Sequence, residues 1–599
     1  MLERLSRAWI GAAATLLLIA AAFSWAPGGR ALTDRFFREQ DLPVILAIAI
    51  AAAILRLAPG LADHIAAFGA RLANSPALKA IEAVARRPWA IAALAAFVGI
   101  VAAVGGWLVC ADYPLSMDEF MVEFGSKVHS RGQLLAHVAE PWRAFVPALQ
   151  PEFAFWTQGA TAWTSSYLPI NSAMRALAGL LGAQWLVSPI LAAFSILAVY
   201  GIARRLWPGR PGAAVVAAVL LGTSSQLLIT AMTPYAMTAH LAFNLAWLWL
   251  FLRGDRRGHA GAIVVGFFAC GLHQLVFHLL FVAPFILQAL LERRWRVVAL
   301  YSAAYGAIGL FWIEYWPIAL SLSGPATIGA LHLATAPTGA AGGAVAVFGA
   351  KIIDLLSNFS FGGIGLMAKN LVRFAAWQNP LLVALVLTGA AAAFRAGGVL
   401  RALSLGLTLC PLAMLFLLPY QGHGWGYRYL HGFLGSAALV AAHQWFNLYD
   451  AMQARGRSVA RVGFVGAALI SILVLAPMRA WQAHAFIAPY ARANSAIHQS
   501  KAEIVLVDDN DAWFTRDLVR NDPYLERRPL VMRLASLSDE QVRQLCAGHT
   551  LALFDAKVAD RFGIEANEPT PDEAPAMARL RAVGRFSCGS QRLPLREVG

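Results

Sequence analysis

The stretch RRPWAIAALAAFVGIVAAVGGWLVCADYPLSMDEF, Arg86 to Phe120, decides the fold. Two arginines precede an unbroken apolar run from Trp89 to Val109, close to the ~20 residues that carry a helix across a hydrocarbon core. The basic residues before the run, Arg71, Lys79, Arg86 and Arg87 with few acids among them, predict a helix that leaves the cytoplasm at Arg87 and delivers the following chain outside. The segment from Asp112 to Asn171 is too polar, and too rich in Pro, Trp and His, to return across lipid. It reads as the first large external loop.

Outward from this span the same grammar repeats. Of the 599 residues, 59% are hydrophobic and only 14% charged, which excludes an ordinary soluble domain. The net charge of +15 is scattered between apolar runs and forms no basic stripe. It therefore marks cytoplasmic loops and argues against nucleic acid as a partner. A retained anchor from Trp9 to Trp25 and a span from Pro43 to Leu57 precede a loop carrying Arg71, Lys79, Arg86 and Arg87, so the N-terminus is expected in the cytoplasm. Further on, Arg204, Arg205 and Arg210, then Arg253, Arg256 and Arg257, then Arg293, Arg294 and Arg296 all read as inside. The last two clusters both fall inside only if the apolar residues between them form two short spans turning outside at Gly271-Leu272-His273-Gln274. A span from Val297 to about Trp316 ends outside, and the stretch to Asn379 reads as interfacial helices. Pro380 starts an inward span, Arg395 and Arg401 mark its inner end, and Tyr420 to Arg428 is a Gly-rich external loop. A last span from Val462 to Pro477 delivers the tail outside.

The fold class expected is an α-helical polytopic membrane protein with ~13 transmembrane helices and a small C-terminal α/β extracytoplasmic domain. Residues 1–88 hold two extra spans and a cytoplasmic loop, 89–478 the main helical module, and 479–599 the external domain. In that domain EIVLVDD, PLVMRLA and TLALFD read as strands, and Ser538 with Gln541 caps a helix over SDEQVRQL. Asp508 to Asp511 lacks the glycine and late glutamate of a calcium loop, and reads as a turn. Cys546 and Cys588 are the only cysteines in a polar region, and form a disulfide if the tail meets an oxidising compartment.

Two clusters carry candidate chemistry. Asp118 and Glu119 open an external loop that also supplies Glu123, His129, His137, Glu140, Arg143 and Glu152. An acidic pair also suits a helix N-terminus, where it favours the dipole. The second cluster, Gly424-Trp425-Gly426-Tyr427-Arg428-Tyr429-Leu430-His431, sets an arginine among aromatics at the outer mouth of a span. That arginine can anchor the interface or bind a phosphate through a two-pronged contact.

Together these clusters resemble the C-type membrane glycosyltransferases, the superfamily of protein O-mannosyltransferases and lipid A aminoarabinose transferases. The carrying residues are Asp118-Glu119 early in the first external loop, Arg428-Tyr429-Leu430 opening a late span, and the hairpin at Leu272-His273-Gln274. Two features depart from the pattern: two extra spans come first, and His431-Gly432 stands where relatives often have Leu-Pro. The resemblance implies transfer of a sugar from a polyprenyl-phosphate donor to a glycan, lipid or protein acceptor at the periplasmic face of a bacterial-type inner membrane. A base must take the acceptor's hydroxyl proton and positive charge must hold the departing phosphate. Asp118 suits the first task, with Glu119 beside it or holding a divalent cation. Arg428, Tyr427, Tyr429 and His273 suit the donor phosphate. His278, His431, Glu314 and Glu123 are secondary or acceptor candidates. A transporter of lipid-linked saccharides and a non-catalytic membrane scaffold are the rival classes.

Overall fold

The computed structural model describes residues 31–85, 87–321, 361–509, 512–565 and 591–592. The expected anchor at Trp9 to Trp25, most of the interfacial stretch after Trp316, and Cys588 lie outside the described residues. The chain divides into two units, one drawn from the described residues of 1–105, 188–311 and 334–482, the other from those of 106–187, 312–333 and 483–599.

Among the described residues five helices are long and apolar enough to cross a membrane: Pro88–Leu108, Gln184–Leu206, Trp295–Ser321, Gly398–Leu417 and Ala454–His498. Shorter apolar helices span Pro211–Gly222, Ala236–Phe251, Leu275–Leu291 and Pro380–Ala396. Helices Arg256–Cys270 and Leu275–Leu291 turn at 271–274, where the charge clusters require a hairpin. Two stretches differ from the sequence expectation. The segment read as a loop before Arg87 instead forms helices Pro59–Ala73 and Pro76–Ala85, each opened by a proline pre-set for the first helical position. The final helix does not stop at Pro477. A π-type turn over Ser471–Leu475 widens the spiral just ahead of the proline, and the helix continues to His498, since a wide turn tolerates the missing N–H and the ring.

In the first unit, helices approach through glycine. A Cβ on Gly389 would lie 2.5 Å from Gln444, and one on Gly435 2.5 Å from Leu245, the close backbone contact that drives helix association where lipid supplies no hydrophobic force. The unit is pinned by a buried charge cluster. Asp41, in a π-type turn at the head of Leu42–Leu57, accepts from the Arg373 guanidinium at 3.2 Å and from Trp377 Nε1 at 3.0 Å, while Arg479 stands 3.9 Å away. Arg479 donates to the carbonyls of Gln40 and Ala376, and both guanidinium groups lie over the Trp377 ring.

The second unit joins the long segment after helix Pro88–Leu108 to the tail. The two segments share one core: Phe124, Trp163 and Val146 from the loop pack with Ile504, Met532 and Leu545 from the tail, and Trp163 Nε1 donates to the carbonyl of Pro523. The loop contributes helix Met117–Ser130 and an antiparallel sheet of β1 (Ala136–His137), β2 (Ala154–Trp156) and β3 (Ala162–Ser165), in the order β1-β3-β2. The tail contributes a parallel sheet of β4 (Ile504–Val507), β5 (Leu530–Arg533), β6 (Leu551–Phe554) and β7 (Gln591–Arg592), in the order β5-β4-β6-β7. Every β4 residue is buried, as a parallel strand covered on both faces requires. Ser538 and Gln541 form the expected capping box, and Cys546 stands in a disulfide.

Asp41 is the carboxylate shared by two buried arginines, so Asp41→Ala is expected to cost about 3–5 kcal/mol through uncompensated charge. Asp450→Ala removes an exposed pair with Arg210 and is expected to cost less than about 1 kcal/mol. Denaturant unfolding of the full chain in micelles measures both.

Candidate functional site

Helix Met117–Ser130 begins at Ser116, whose extended backbone makes it an N-cap. Its hydroxyl accepts the Glu119 N–H at 3.2 Å, and Glu119 Oε2 accepts the Ser116 N–H at 2.7 Å, a reciprocal capping box. The acidic pair therefore divides its labour. Glu119 is 1% exposed and turned back on the cap, while Asp118, 9% exposed, accepts a hydrogen bond from the Tyr167 hydroxyl. Tyr167 follows β3, so the antiparallel sheet orients the Asp118 carboxylate, and both acids sit in the first turn where the helix dipole favours negative charge. The same helix presents Glu123 and Lys127. Burial pushes the Glu123 carboxyl up, opposed by Lys127, Arg520 and Arg175, and pulls the Lys127 ammonium down. Arg175, on helix Ile170–Gly179, is drawn by burial to about 10 against the carboxylates of Glu123 and Glu119.

The other named acids and histidines of the loop have local roles. His129 Nδ1 lies 3.0 Å from the carbonyl of Gln133, Arg143 donates to the carbonyl of Val138, and Glu152 pairs with Arg516. His137 is exposed on β1, and Glu140 opens a 3-10 turn. Glu314 is exposed on helix Trp295–Ser321.

In the first unit, the loop from Tyr420 to Tyr427 is shaped by Gly422, Gly424 and Gly426, all at positive φ. Arg373 donates to the carbonyls of Gly424 at 2.7 Å and Gly426 at 3.1 Å. Gln421 donates to the Gly426 carbonyl and accepts the Arg428 N–H, and Gln226 donates to the carbonyl of Tyr427. The loop is thereby clamped on both sides of Arg428, which opens a 3-10 turn leading into helix Leu434–Asp450. Its half-buried guanidinium lies 5.2 Å from the ring centroid of Tyr429 and 5.6 Å from that of Tyr235. Tyr427 is fully buried, its hydroxyl against the sulfur of Met367, whereas Tyr429 reaches the carbonyl of Tyr420 at 3.4 Å.

The histidines gather nearby in the same unit. His278 Nδ1 lies 2.7 Å from Asn244 Oδ1 and its Nε2 2.9 Å from the Tyr305 hydroxyl, so both ring nitrogens are occupied. His240 is within electrostatic range of His273, His278 and His431, and its ring lies 5.4 Å from Phe277, which also neighbours His273 and Tyr429. The ring nitrogens of His240 and His431 are buried without hydrogen-bond partners. Among the described residues no group of three or more His, Cys, Asp or Glu is placed to hold a metal ion, and Glu119 Oε2, the cation candidate, is engaged by the helix cap.

Neither a family model nor a curated protein matches the sequence. The structure is similar to that of ArnT from Cupriavidus metallidurans bound to undecaprenyl phosphate, at 16% identity and TM-score 0.43, covering 73% of this chain and 85% of that one. It is similar to ArnT in the apo state at 13% identity and TM-score 0.41, with the same coverage. It also resembles the oligosaccharyltransferase AglB from Archaeoglobus fulgidus in complex with an inhibitory peptide and a dolichol-phosphate, at 14% identity and TM-score 0.37, covering 72% of this chain and 64% of that one.

Asp118, Glu119 and Glu123 thus fall in one unit, and Arg428, Tyr427, Tyr429, His273, His278 and His431 in the other. Sequence reasoning missed Tyr167, Arg373 and His240. The first two act through contacts 49 and 51 residues away in the chain, beyond any local motif. His240 sits in an apolar helix, where an ionisable residue is itself a signal.

The clamp predicts different tolerance at two glycines of similar backbone. Gly422→Ala adds a side chain at φ +69 with nothing within 4 Å, whereas Gly426→Ala at φ +70 also places its Cβ 2.5 Å from Gln226 Oε1. Gly422→Ala is expected to cost about 1 kcal/mol of left-handed strain, and Gly426→Ala clearly more. Thermal unfolding of the two variants side by side checks the order.

Proposed function

We propose that the chain is an inverting glycosyltransferase that moves a sugar from a polyprenyl-phosphate donor to a hydroxyl acceptor at the extracytoplasmic face of a bacterial-type inner membrane. On this reading ~13 helices span the membrane, with the N-terminus cytoplasmic. The observation that carries the reading is Asp118. It is a carboxylate at the rim of an external helix, oriented by Tyr167 and separated in role from the neighbouring Glu119, which caps the helix.

In the proposed reaction the acceptor oxygen attacks the anomeric carbon from the face opposite the phosphate. The new C–O bond forms as the bond to the phosphate oxygen breaks, its electron pair leaves with the polyprenyl phosphate, and the acceptor proton passes to Asp118. One displacement inverts the anomeric centre. Arg428 holds the negative charge released on the phosphate, for which a planar guanidinium is suited. Tyr429 and His273 line its surroundings, and Tyr427 supports the loop from behind. His278 and His431 then shape the wall of the donor region, and Glu123 belongs to the acceptor side. No step needs a metal, and none is routed through one.

Asp118→Asn is expected to abolish transfer from radiolabelled polyprenyl-phosphate sugars while leaving the unfolding midpoint within a degree or two. Normal turnover in that variant removes the base. Arg428→Ala is expected to lower kcat/KM for the donor about 10²-fold or more, by analogy with loss of one charge-stabilising donor, and an unchanged donor dependence removes Arg428 from the reaction.

A further inference from the structure

Helix Met117–Ser130 has a second functional face. At about 100° per residue, Glu123 and Lys127 lie about 140° and 180° around the helix from Asp118, so they look away from it. They border a cavity of about 240 Å³ that lies wholly within the second unit, closed by Asp112–Pro114, by Asn494 and His498 at the end of the last long helix, and by the segment from Arg520 to Pro529. Arg520 builds the wall, donating to the carbonyls of Pro114, Leu115 and Asp517.

The lining is balanced in charge. Lys127, Arg520 and Arg527 face Asp112, Glu123 and Asp522. Two residues of the lining carry a buried polar atom without a hydrogen-bond partner, Tyr113, itself 7% exposed, at its hydroxyl, and Asn494 at Oδ1. Leaving such atoms unmatched costs about 1–3 kcal/mol each, and Asn494 Oδ1 can be satisfied only by a donor. An inorganic anion meets three carboxylates. A cation meets Lys127 and Arg527, and an apolar group leaves every polar atom unpaired. A ring of neutral hydroxyls, each both donor and acceptor, matches all of them. The volume lies below the ~300 Å³ at which clefts for larger ligands begin, which fits a single ring.

We propose that this cavity recognises one neutral sugar ring, the saccharide handle by which the acceptor is held. Its service as an acceptor subsite rests on the transferase reading; the binding of a sugar does not.

The test is saturation-transfer NMR on the full chain in detergent with glucose, galactose, mannose and N-acetylglucosamine, against glucuronate and inorganic phosphate. At least one neutral sugar is expected to bind, Asn494→Leu and Lys127→Met to weaken it about tenfold, as loss of one buried polar contact predicts, and Asp118→Asn to bind as wild type does. Absence of binding by every neutral sugar overturns the proposal, as does binding that both cavity variants leave unchanged, or binding of phosphate or glucuronate alone. Wild type that transfers sugar yet binds none in the cavity removes this inference and leaves the transferase reading standing. Sugar binding together with full turnover by Asp118→Asn does the reverse.

Discussion

The buried meeting of Asp41, Arg373 and Arg479 is the constraint on which the first unit depends. Moving three charges out of water is costly, and Coulomb attraction repays it only where the remaining donors and acceptors are matched. Here Trp377, the carbonyls of Gln40 and Ala376, and the carbonyls of Gly424 and Gly426 supply most of the matches, Arg479 Nε being left without one. The last two lie in the glycine loop. Arg373 is therefore paired on one side with Asp41 at the head of helix Leu42–Leu57 and on the other with the segment that presents Arg428, so one side chain couples that helix to the glycine loop.

The second unit uses one helix for two tasks by exploiting its period. Met117–Ser130 buries Met121, Phe124 and Val128 in the shared core, and their spacing leaves two separate polar directions. One carries Asp118 at the first turn, and the other carries Glu123 and Lys127 one turn apart. A cap made by Ser116 and Glu119 fixes the start of the helix and hence both directions at once. Loop and tail complete the arrangement together, because Tyr167 orients the first face and Arg520 walls the second.

Much of this was legible in the sequence. Apolar run length located helices such as Pro88–Leu108, the charge clusters located the turn at His273, and short apolar runs located β4, β5 and β6. The acidic pair was visible, but its division of labour was not: Ser116 and Glu119 stand at capping-box spacing, and either acid in isolation reads equally as a cap or a catalyst. Arg373, Tyr167 and the cavity lined by Lys127 and Asn494 were not legible, since each depends on contacts between segments tens to hundreds of residues apart. The run past Pro477 was missed because proline was read as a stop, while a wide turn just before it removes the clash.

The capping box also bears on stereochemistry. A double displacement with retention needs two carboxyl groups about 5–5.5 Å apart across the sugar, one of them free to attack the anomeric carbon. Adjacent Asp118 and Glu119 look at first like such a pair. Glu119, however, accepts from the Ser116 N–H and hydroxyl through Oε2, and releasing it to act as a nucleophile would uncap the helix that carries Asp118. A mechanism with Glu119 as nucleophile would thus dismantle its own base. On the proposed reading, single displacement, with Asp118 taking the proton and phosphate leaving unaided by an acid, asks nothing of Glu119 beyond the role it already fills.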